Sequence, residues 1–320
     1  MKYPETKPAP PPKWMRIPLK FAIPQEYIDE NRIEQWNLIE TKQIVKKNQL
    51  NTVCEEASCP NLNHCWGLGT ATFLIMGDRC TRSCGFCDIK TAKPFALDPT
   101  EPKRLAEAVK KMHLKHVVIT SVDRDDLKDC GSSHFAQCII EVKKENPTTT
   151  IEVLIPDFKG RIENLQKIWD AKPEIINHNI ETVPTLYKYI CPQSNYRISL
   201  KVLELSSKQG FLTKTGLIVG LGETIEELKE VIKDAYNSGT HILTIGQYLQ
   251  PTPKHAPLKK YYSLQEFQEL KNFAYELGFL HVESGPNVRS SFHAGVGVEK
   301  MIEKFYQYKK NNDNFFKKSV

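Results

Sequence analysis

Six short apolar runs alternate with amphipathic segments from residue 71 onward, and this alternation limits the possible folds more than any other feature. We expect the runs to form strands, because strands that are buried on both faces are continuously apolar. Parallel neighbours need a helical crossover, so the pattern predicts a parallel α/β sheet, either open and doubly wound or closed into a barrel. The predicted strands are Ala71–Gly77, His116–Ser121, Ile151–Pro156, Glu174–Ile180, Thr215–Leu221 and Ile242–Leu249.

The amphipathic segments between and after these runs are predicted to be helices. Two of them begin with the spacing of a capping box, Thr224 with Glu227 and Ser263 with Glu266. A polar helical stretch is also expected around residues 25–48, after a Pro-rich extended arm over about residues 1–20. Residues 51–70 have few periodic hydrophobic positions, which predicts a loop-rich segment. The predicted helices are Lys103–Met112, Phe135–Lys144, Arg161–Trp169, Ser199–Lys208, Glu226–Asn237 and Leu264–Leu277.

The composition of the 320 residues is that of an ordinary globular chain, with 40% hydrophobic and 26% charged residues. The N-terminal sequence lacks the apolar core of a secretion signal, and it is too acidic and too poor in arginine for a mitochondrial transit peptide. No apolar stretch is long enough to span a bilayer, and no dense basic stripe with aromatic residues indicates nucleic-acid binding. We therefore expect a cytoplasmic protein that binds neither a membrane nor nucleic acid.

Three cysteines follow the first predicted strand in the order Cys80-Thr-Arg-Ser-Cys84-Gly-Phe-Cys87. Structural zinc sites normally have four ligands, and no nearby Cys or His completes such a site here. Three cysteine ligands on a four-iron cluster would leave one iron open to a substrate. In this the residues resemble the radical S-adenosylmethionine (SAM) superfamily, in which the amino and carboxylate groups of SAM bind the open iron. The resemblance implies that Cys80, Cys84 and Cys87 hold such a cluster.

A glycine-containing segment on the fifth predicted strand supports this resemblance. The sequence Gly216-Leu-Ile-Val-Gly220-Leu-Gly-Glu223 fits a G-x-I-x-G-x-x-E pattern that supports the adenine of SAM in that superfamily. By itself the pattern is weak evidence, because glycines after a strand more often allow tight turning or close packing. Its position on the fifth strand gives it weight.

A second cysteine group, Cys54, Cys59 and Cys65, lies just upstream of the first. Taken alone, this C-x₄-C-x₅-C triplet could form a zinc site with His64. Together with the downstream cysteines and the sequence Arg289-Ser290-Ser291, however, it resembles the lipoyl synthases. Further segments of that family run from about Asn51 to Ala294, among them VITSVDRDDL, NHNIETVP, SNYRISL, GQYLQPT and SGPNVRSS.

The resemblance implies a partial (β/α)6 TIM-like radical-SAM barrel over residues 71–285. Residues 1–70 would form an N-terminal extension carrying the auxiliary-cluster cysteines, and residues 286–320 a C-terminal extension carrying a serine ligand. In that family an auxiliary [4Fe–4S] cluster is bound by the triplet and by the second serine of the Arg-Ser-Ser motif, here Cys54, Cys59, Cys65 and Ser291. Cysteine thiolates hold most such clusters, so a serine oxygen is an unusual and replaceable ligand.

The implied activity is that of a sulfurtransferase that makes the lipoyl cofactor on a protein-bound octanoyl-lysine. Sulfur enters at the saturated carbons C6 and C8, which offer neither an acidic proton nor a leaving group, so a carbon radical must begin the reaction. Two molecules of SAM are consumed, and the auxiliary cluster is the sulfur donor. The catalytic residues would be Ser291, Cys80, Cys84 and Cys87.

The implied partners are an octanoylated lipoyl carrier, either an H protein or an E2 lipoyl domain, and a low-potential electron donor such as ferredoxin or flavodoxin. An iron–sulfur carrier would load the clusters. The net charge of +6 would suit an acidic carrier.

Catalytic sites in barrels of parallel strands lie at the carboxyl ends of the strands, which places the SAM pocket there. For Asp123, Arg124, Asn179 and Glu181 the alternative is a satisfied polar network beneath the loops, and His178 is expected to be packed or hydrogen-bonded. The expected SAM-binding residues are Phe86, Ser121, Asp123, Asn179, Glu181, Gly220 and Glu223.

The sequence departs from the family pattern at three places. Phe292 replaces a tyrosine, Cys130 replaces a glycine, and Ile190-Cys191-Pro192 replaces a segment that normally carries an arginine. Cys130, Cys138 and Cys191 have no ligand spacing and are interpreted as ordinary core or partly exposed thiols. Two other functions stay open at this point: another radical enzyme with an auxiliary cluster, and a zinc-stabilised binding module without catalysis.

Overall fold

The strands of the protein form one large sheet and one small one in a computed structural model that describes residues 3, 5–12, 15, 38–59, 61–67, 71–291, 295 and 298–318. The two-residue strands β3 and β4 pair with each other, whereas the other strands join the large sheet. The strands are β1 (Asn51–Thr52), β2 (Thr72–Ile75), β3 (Arg79–Cys80), β4 (Lys90–Thr91), β5 (His116–Ser121), β6 (Thr150–Leu154), β7 (Ile175–Asn177), β8 (Leu212–Val219), β9 (Ile242–Gln247) and β10 (His281–Gly285).

The large sheet has the order β1-β2-β5-β6-β7-β8-β9-β10, in which the six predicted strands are neighbours in chain order. All of its neighbouring pairs are parallel except β1 with β2. Residues next to both edges of the sheet line the same cavity, so the sheet curves around it. The predicted α/β fold, a partial TIM-like barrel, is thereby confirmed.

Helices cross between the parallel strands as predicted. Both capping boxes are present, since the side chains of Thr224 and Ser263 accept hydrogen bonds from the backbone of Glu227 and Glu266. The helices are α1 (Leu38–Lys47), α2 (Val53–Glu56), α3 (Leu62–Gly67), α4 (Glu101–Lys111), α5 (Ser132–Glu145), α6 (Ile162–Asp170), α7 (Pro184–Ile190), α8 (Tyr196–Lys208), α9 (Ile225–Asn237), α10 (Leu264–Leu277) and α11 (Val298–Lys318).

The N-terminal extension is more ordered than the sequence indicated. The loop-rich prediction for residues 51–70 is wrong in part, because the segment contains α2 and α3. Thr52 begins α2, since its hydroxyl accepts a hydrogen bond from the backbone of Glu55 at 3.3 Å. Of the helical stretch predicted around residues 25–48, the described residues contain α1, while residues 25–37 and Phe292 lie outside the described part of the chain.

Two buried clusters lie between the sheet and its helices, and a third closes the barrel at the other end from the cavity. The third cluster joins Ile175, Leu212 and Ile242, at the starts of β7, β8 and β9, to Val298 and Phe305 of α11. Among the described residues, none of the helices has the length and apolar character that a membrane span requires. The barrel and its bottom helix thus position the carboxyl strand ends as the open face.

Candidate active site

A cavity of about 550 Å³ lies at the carboxyl ends of the strands and brings both cysteine groups together. Cys80, Cys84 and Cys87 line it from one side, and Cys54 and Cys59 from another. Cys65, on α3, is not among the residues that line the cavity. The Arg-Ser-Ser motif enters through the segment that follows β10, so that Arg289, Ser290 and Ser291 also line this cavity.

The first cysteine group lies on a loop that begins at β3. The backbone amides of Arg82 and Asp123 donate hydrogen bonds to the Cys80 sulfur at 3.4 and 3.3 Å. Burial raises the pKa of Cys80 to about 12, and burial also raises the pKa of Cys87. Such thiols stay protonated until a metal displaces the proton, so this loop is a cluster of neutral sulfur donors in the absence of metal.

Arg82, within the cysteine loop, anchors that loop to the ends of β5 and β6. Its guanidinium contacts Asp125 at 2.8 Å and Asp157 at 2.7 Å, and it lies 3.3 Å from Asp123. Burial lowers the pKa of Arg82, but the hydrogen bonds to Asp157 and Asp125 outweigh this effect, so that the pKa is raised. The sequence analysis missed this residue. The acidic VDRDDL segment was the available signal, but only the fold brings it to Arg82.

The second cysteine group meets the Arg-Ser-Ser segment across a large distance in sequence. The Thr72 hydroxyl donates a hydrogen bond to the Ser291 hydroxyl at 2.7 Å, and the Asn61 side chain donates one to the Asn287 carbonyl at 2.8 Å. Cys54 is buried, and burial raises the pKa of its thiol. These contacts attach the Arg-Ser-Ser segment to the part of the chain that carries the second cysteine group, and Cys54, Cys59 and Ser291 line the same cavity.

Glu181 and Asn179, two of the expected SAM-binding residues, lie on the turn after β7. Burial raises the pKa of Glu181 to about 7, and its backbone adopts a left-handed conformation with φ of 70°. Asn179 accepts a hydrogen bond from the Ser290 hydroxyl at 2.9 Å. His178 is buried and its Nδ1 lies 2.8 Å from the Ile155 carbonyl oxygen, which agrees with the expected packed histidine.

Two further expected residues, Ser121 and Asp123, lie at the end of β5. The Ser121 hydroxyl is buried without a hydrogen-bond partner within the described part of the chain. Burial raises the pKa of Asp123 to about 6, although Arg82 lowers it. An unsatisfied buried hydroxyl is costly, so its place in the cavity wall fits a polar ligand.

The first half of the glycine motif lines the cavity. Gly216 and Ile218 line the cavity, as does Phe86, whereas Gly220 and Glu223 do not. The Glu223 carboxylate instead accepts hydrogen bonds from the backbone amides of Gly220 and Leu221, the latter at 2.9 Å. Glu223 therefore shapes the turn after β8 from outside the described cavity wall.

The donors fit iron–sulfur clusters and SAM. Two groups of thiols share one cavity with a hydroxyl of Ser291, and thiolates are the ligands that hold most such clusters. The cavity also contains an unpaired hydroxyl and two acidic side chains with elevated pKa values, Asp123 and Glu181. These groups complement a polar, positively charged ligand.

The class of protein follows from the fold, the cysteine loop and a family comparison. Residues 74–235 match the model of the Radical SAM superfamily, a range that includes the end of β2, the cysteine loop and most of α9. A structure of methylornithine synthase (PylB) covers 77% of this chain and 76% of its own, with a TM-score of 0.52 and 16% identity. A structure of Streptococcus suis SuiB bound to precursor peptide SuiA covers 77% and 52%, with a TM-score of 0.54 and 12% identity. The chain is a radical SAM enzyme.

Sequence comparison identifies the family within this class. A lipoyl synthase of Leptospira interrogans is 49% identical over 286 residues, which cover 88% of this chain and 91% of the relative. A lipoyl synthase of Coxiella burnetii is 50% identical over 291 residues, which cover 90% and 88%. The chain therefore belongs to the lipoyl synthase family, whose members are sulfur-inserting radical SAM enzymes.

Proposed function

We propose that this enzyme inserts two sulfur atoms, at C6 and C8, into a protein-bound octanoyl-lysine and so forms the lipoyl cofactor. The observation that carries the proposal is the single cavity that Cys80, Cys84 and Cys87 share with Cys54, Cys59 and Ser291. A radical generated at one group of ligands and a sulfur source held by the other must lie within reach of the same substrate carbon. Two separate sites would not satisfy this need.

We propose that Cys80, Cys84 and Cys87 hold one [4Fe–4S] cluster and that Cys54, Cys59, Cys65 and Ser291 hold a second. When bound, the clusters would supply the electron that cleaves SAM and the sulfur that is inserted. The protein contributes position and surroundings. The hydrogen bond between Thr72 and Ser291 supports the role of Ser291, because it orients that hydroxyl in the cavity wall that Cys54 and Cys59 also line.

The acidic and amide side chains of the cavity would bind SAM. The unpaired Ser121 hydroxyl would form a hydrogen bond with SAM. The carboxyl groups of Asp123 and Glu181 would attract the positively charged sulfonium and amino groups. A bound cation lowers the pKa of a nearby carboxyl group, so SAM would convert both to carboxylates. Phe86 would pack against the ligand. The remaining proposed contacts are Asn179 and, through the turn after β8, Gly220 and Glu223.

We propose an octanoylated H protein or E2 lipoyl domain as the substrate carrier and ferredoxin or flavodoxin as the electron donor. An iron–sulfur carrier would load the clusters. In this proposal residues 1–70 form the auxiliary-cluster extension, 71–285 the barrel and 286–320 the segment that brings Ser291, and the enzyme acts in the cytoplasm.

The test is an anaerobic assay of the reconstituted chain with SAM, a strong reductant and an octanoyl-lysine peptide, read by mass spectrometry. The wild-type chain should bind about eight irons, as two four-iron clusters, and form 5′-deoxyadenosine and a peptide carrying two sulfurs. Ser291→Ala should still cleave SAM but fail to complete sulfur insertion. Ser133→Ala, which removes an exposed hydroxyl on α5 outside the cavity wall, is the matched control. A normal lipoyl yield from Ser291→Ala would refute its role as a ligand.

A further inference from the structure

Arg289, the first residue of the Arg-Ser-Ser segment, presents a positive charge to the cavity, and no acidic side chain among the described residues neutralises it. Its Nη1 donates hydrogen bonds to the backbone carbonyls of Val288 at 2.6 Å and Pro286 at 3.4 Å. In the part of the chain that the structure describes, Arg289 lines the same cavity as Cys59 and forms no ion pair with a carboxylate. These neutral carbonyls orient the guanidinium but do not neutralise its positive charge.

The other arginine of the cavity wall is bound in a different way. Among the lining residues the basic side chains other than histidine are Arg82 and Arg289. Arg82 is saturated, because its guanidinium forms close ion pairs with Asp125 and Asp157. Of these two cations, therefore, Arg289 is the one available to an anion that enters the cavity. A partly desolvated guanidinium without an anion is unfavourable, so its position indicates that one belongs there.

The backbone holds Arg289 in this place by a close approach to β9. A side chain at Gly246 would collide with the Val288 carbonyl and would lie 3.4 Å from the Arg289 Nη1. Only a glycine at that position leaves room for the segment. The hydrogen bond from Asn61 to Asn287 at 2.8 Å attaches the same segment to the Cys54–Cys65 region. The guanidinium is thus fixed in the same cavity wall as Cys59 before any cluster arrives.

We propose that Arg289 is the counter-charge of the auxiliary cluster, an inference that rests on the cluster ligands assigned in the proposed function. Thiolate and serine ligands give the site negative charge, and reduction adds one more electron. A guanidinium beside Cys59 stabilises that charge and favours the reduced state, since net charge and hydrogen bonds to the sulfurs set the potential of such clusters. Arg289 is a positioning residue in this role, because it acts through the cluster and its ligands.

The experiment uses the full chain with Cys80, Cys84 and Cys87 each changed to Ala, so that spectra report the auxiliary cluster alone. Iron per chain and the midpoint potential, followed by electron paramagnetic resonance, are measured with Arg289, Arg289→Lys and Arg289→Gln. We expect Arg289→Gln to lower the potential and to lose iron several-fold faster to a chelator, and Arg289→Lys, which keeps the charge but not the planar fork, to show smaller changes. Arg197→Gln, which removes a charge from an exposed position on α8, should match the parent.

An unchanged potential in an Arg289→Gln chain that still holds four irons would overturn the proposal. The carboxylate of SAM is the competing anion, so SAM binding to the chain with all its cysteines is measured by equilibrium dialysis for the same variants. Loss of SAM affinity with an unchanged potential would assign Arg289 to SAM and refute the counter-charge role. A parent that binds no four-iron cluster at Cys54, Cys59, Cys65 and Ser291 would instead refute the proposed function, and the iron count separates that failure from the others.

Discussion

Cys191 is a residue whose surroundings could not be read from its sequence context. Its thiol, 2% exposed, interacts with the thiol of Cys84, and both residues line the cavity. The Gly85 amide donates a hydrogen bond to the Ile190 carbonyl at 2.7 Å, which brings the two segments side by side. The interpretation of Cys191 as an ordinary thiol agrees with its burial, but it did not predict that this residue lines the cavity with Cys84. Cys130 and Cys138, also buried, lie outside the cavity wall.

This neighbour makes Cys84 vulnerable to oxidation when no cluster is bound. We expect oxidised glutathione to convert the cluster-free chain to a Cys84–Cys191 disulfide, with transfer of the two electrons to glutathione, and Cys191→Ser to prevent it. Peptide mass spectrometry under non-reducing conditions measures the cross-link. Cys138→Ser, which removes a buried thiol elsewhere, is the control. Recovery of Cys84 paired solely with Cys80 or Cys87 would contradict the prediction.

Glu181 gives a pH dependence with a defined sign. Burial raises the pKa of Glu181 to about 7 from an ordinary value of 4.5, so the folded state disfavours the carboxylate. Stability is unaffected below about pH 4.5 and falls as the pH rises to about 7. Without SAM, Glu181→Gln should therefore raise the free energy of unfolding at pH 8 by about 1–2 kcal/mol, less than the full shift because the group faces the cavity.

Urea unfolding at pH 4.5 and pH 8 measures this effect. Glu163→Gln, on the exposed face of α6, is the matched control and should change neither value. A gain in stability from Glu181→Gln that is the same at both pH values would show that the carboxyl group is not the cause.

At the scale of elements, α11 closes the end of the barrel opposite the cavity. Phe305, 5% exposed, packs on the first residues of β7, β8 and β9, and its ring lies edge-on to His241 with centroids 4.7 Å apart. Tyr306, the next residue, is 62% exposed. The helix thus contributes one apolar stripe to the core and leaves its other face in solvent.

Phe305→Ala should destabilise the chain by about 3 kcal/mol, since it removes a large buried ring and leaves a cavity beneath α11. Tyr306→Ala, one position along the same helix, should change the free energy of unfolding by less than about 0.5 kcal/mol. Denaturant unfolding measures both. Equal effects of the two variants would mean that α11 does not pack on the barrel.

The elements that the sequence predicted best are those with a local signal. The apolar run His116–Ser121 and the amphipathic segment Leu264–Leu277 match β5 and α10 residue for residue, since burial and capping are both encoded locally. β10 was missed because His281-Val-Glu-Ser-Gly contains one large apolar residue, and its pairing with β9 makes it a strand. β7 ends at Asn177, three residues before the predicted end, because the chain there turns towards the left-handed Glu181.

At the scale of the whole molecule, a buried ion pair links strands of the barrel. The Lys214 ammonium contacts the two carboxylate oxygens of Glu152 at 2.9 and 3.1 Å, and Asn177 donates a further hydrogen bond at 3.0 Å. Both charged residues are buried. Burial raises the pKa of Glu152, but the Lys214 charge outweighs this effect and lowers the pKa to about 2. The pair joins β6 to β8 across β7.

Breaking this pair should cost more than removing it. We expect Lys214→Met to destabilise the chain by about 3–5 kcal/mol, because it removes the ammonium group that neutralises a buried carboxylate. The double variant with Glu152→Leu should be less destabilised than the single variant, since no unpaired charge remains. Urea unfolding of the wild type, both single variants and the double variant measures the coupling. Additive effects would contradict the prediction.

The candidate site could be predicted from the sequence as a set of donors but not as an arrangement. Spacing and resemblance named Cys54, Cys80 and Ser291, and the fold brings all three to one cavity. Arg82 has acidic partners in Asp125 and Asp157, whereas Arg289 has none in the part of the chain that the structure describes, and their roles depend on this difference. Such pairing arises between distant segments, and no local pattern encodes it.

The hydrogen bond between Thr72 and Ser291 joins residues that are 219 positions apart. During synthesis, Cys54 and Cys59 leave the ribosome long before Ser291 exists, and the whole barrel is translated in between. The nascent chain can thus offer thiols to metal while the hydroxyl that would complete their site has not yet been made. Under the proposed ligand assignment, the auxiliary cluster would therefore be loaded after translation of the barrel. A chain truncated before Ser291 would then carry cysteines that attract metal but would lack the hydroxyl that completes their site.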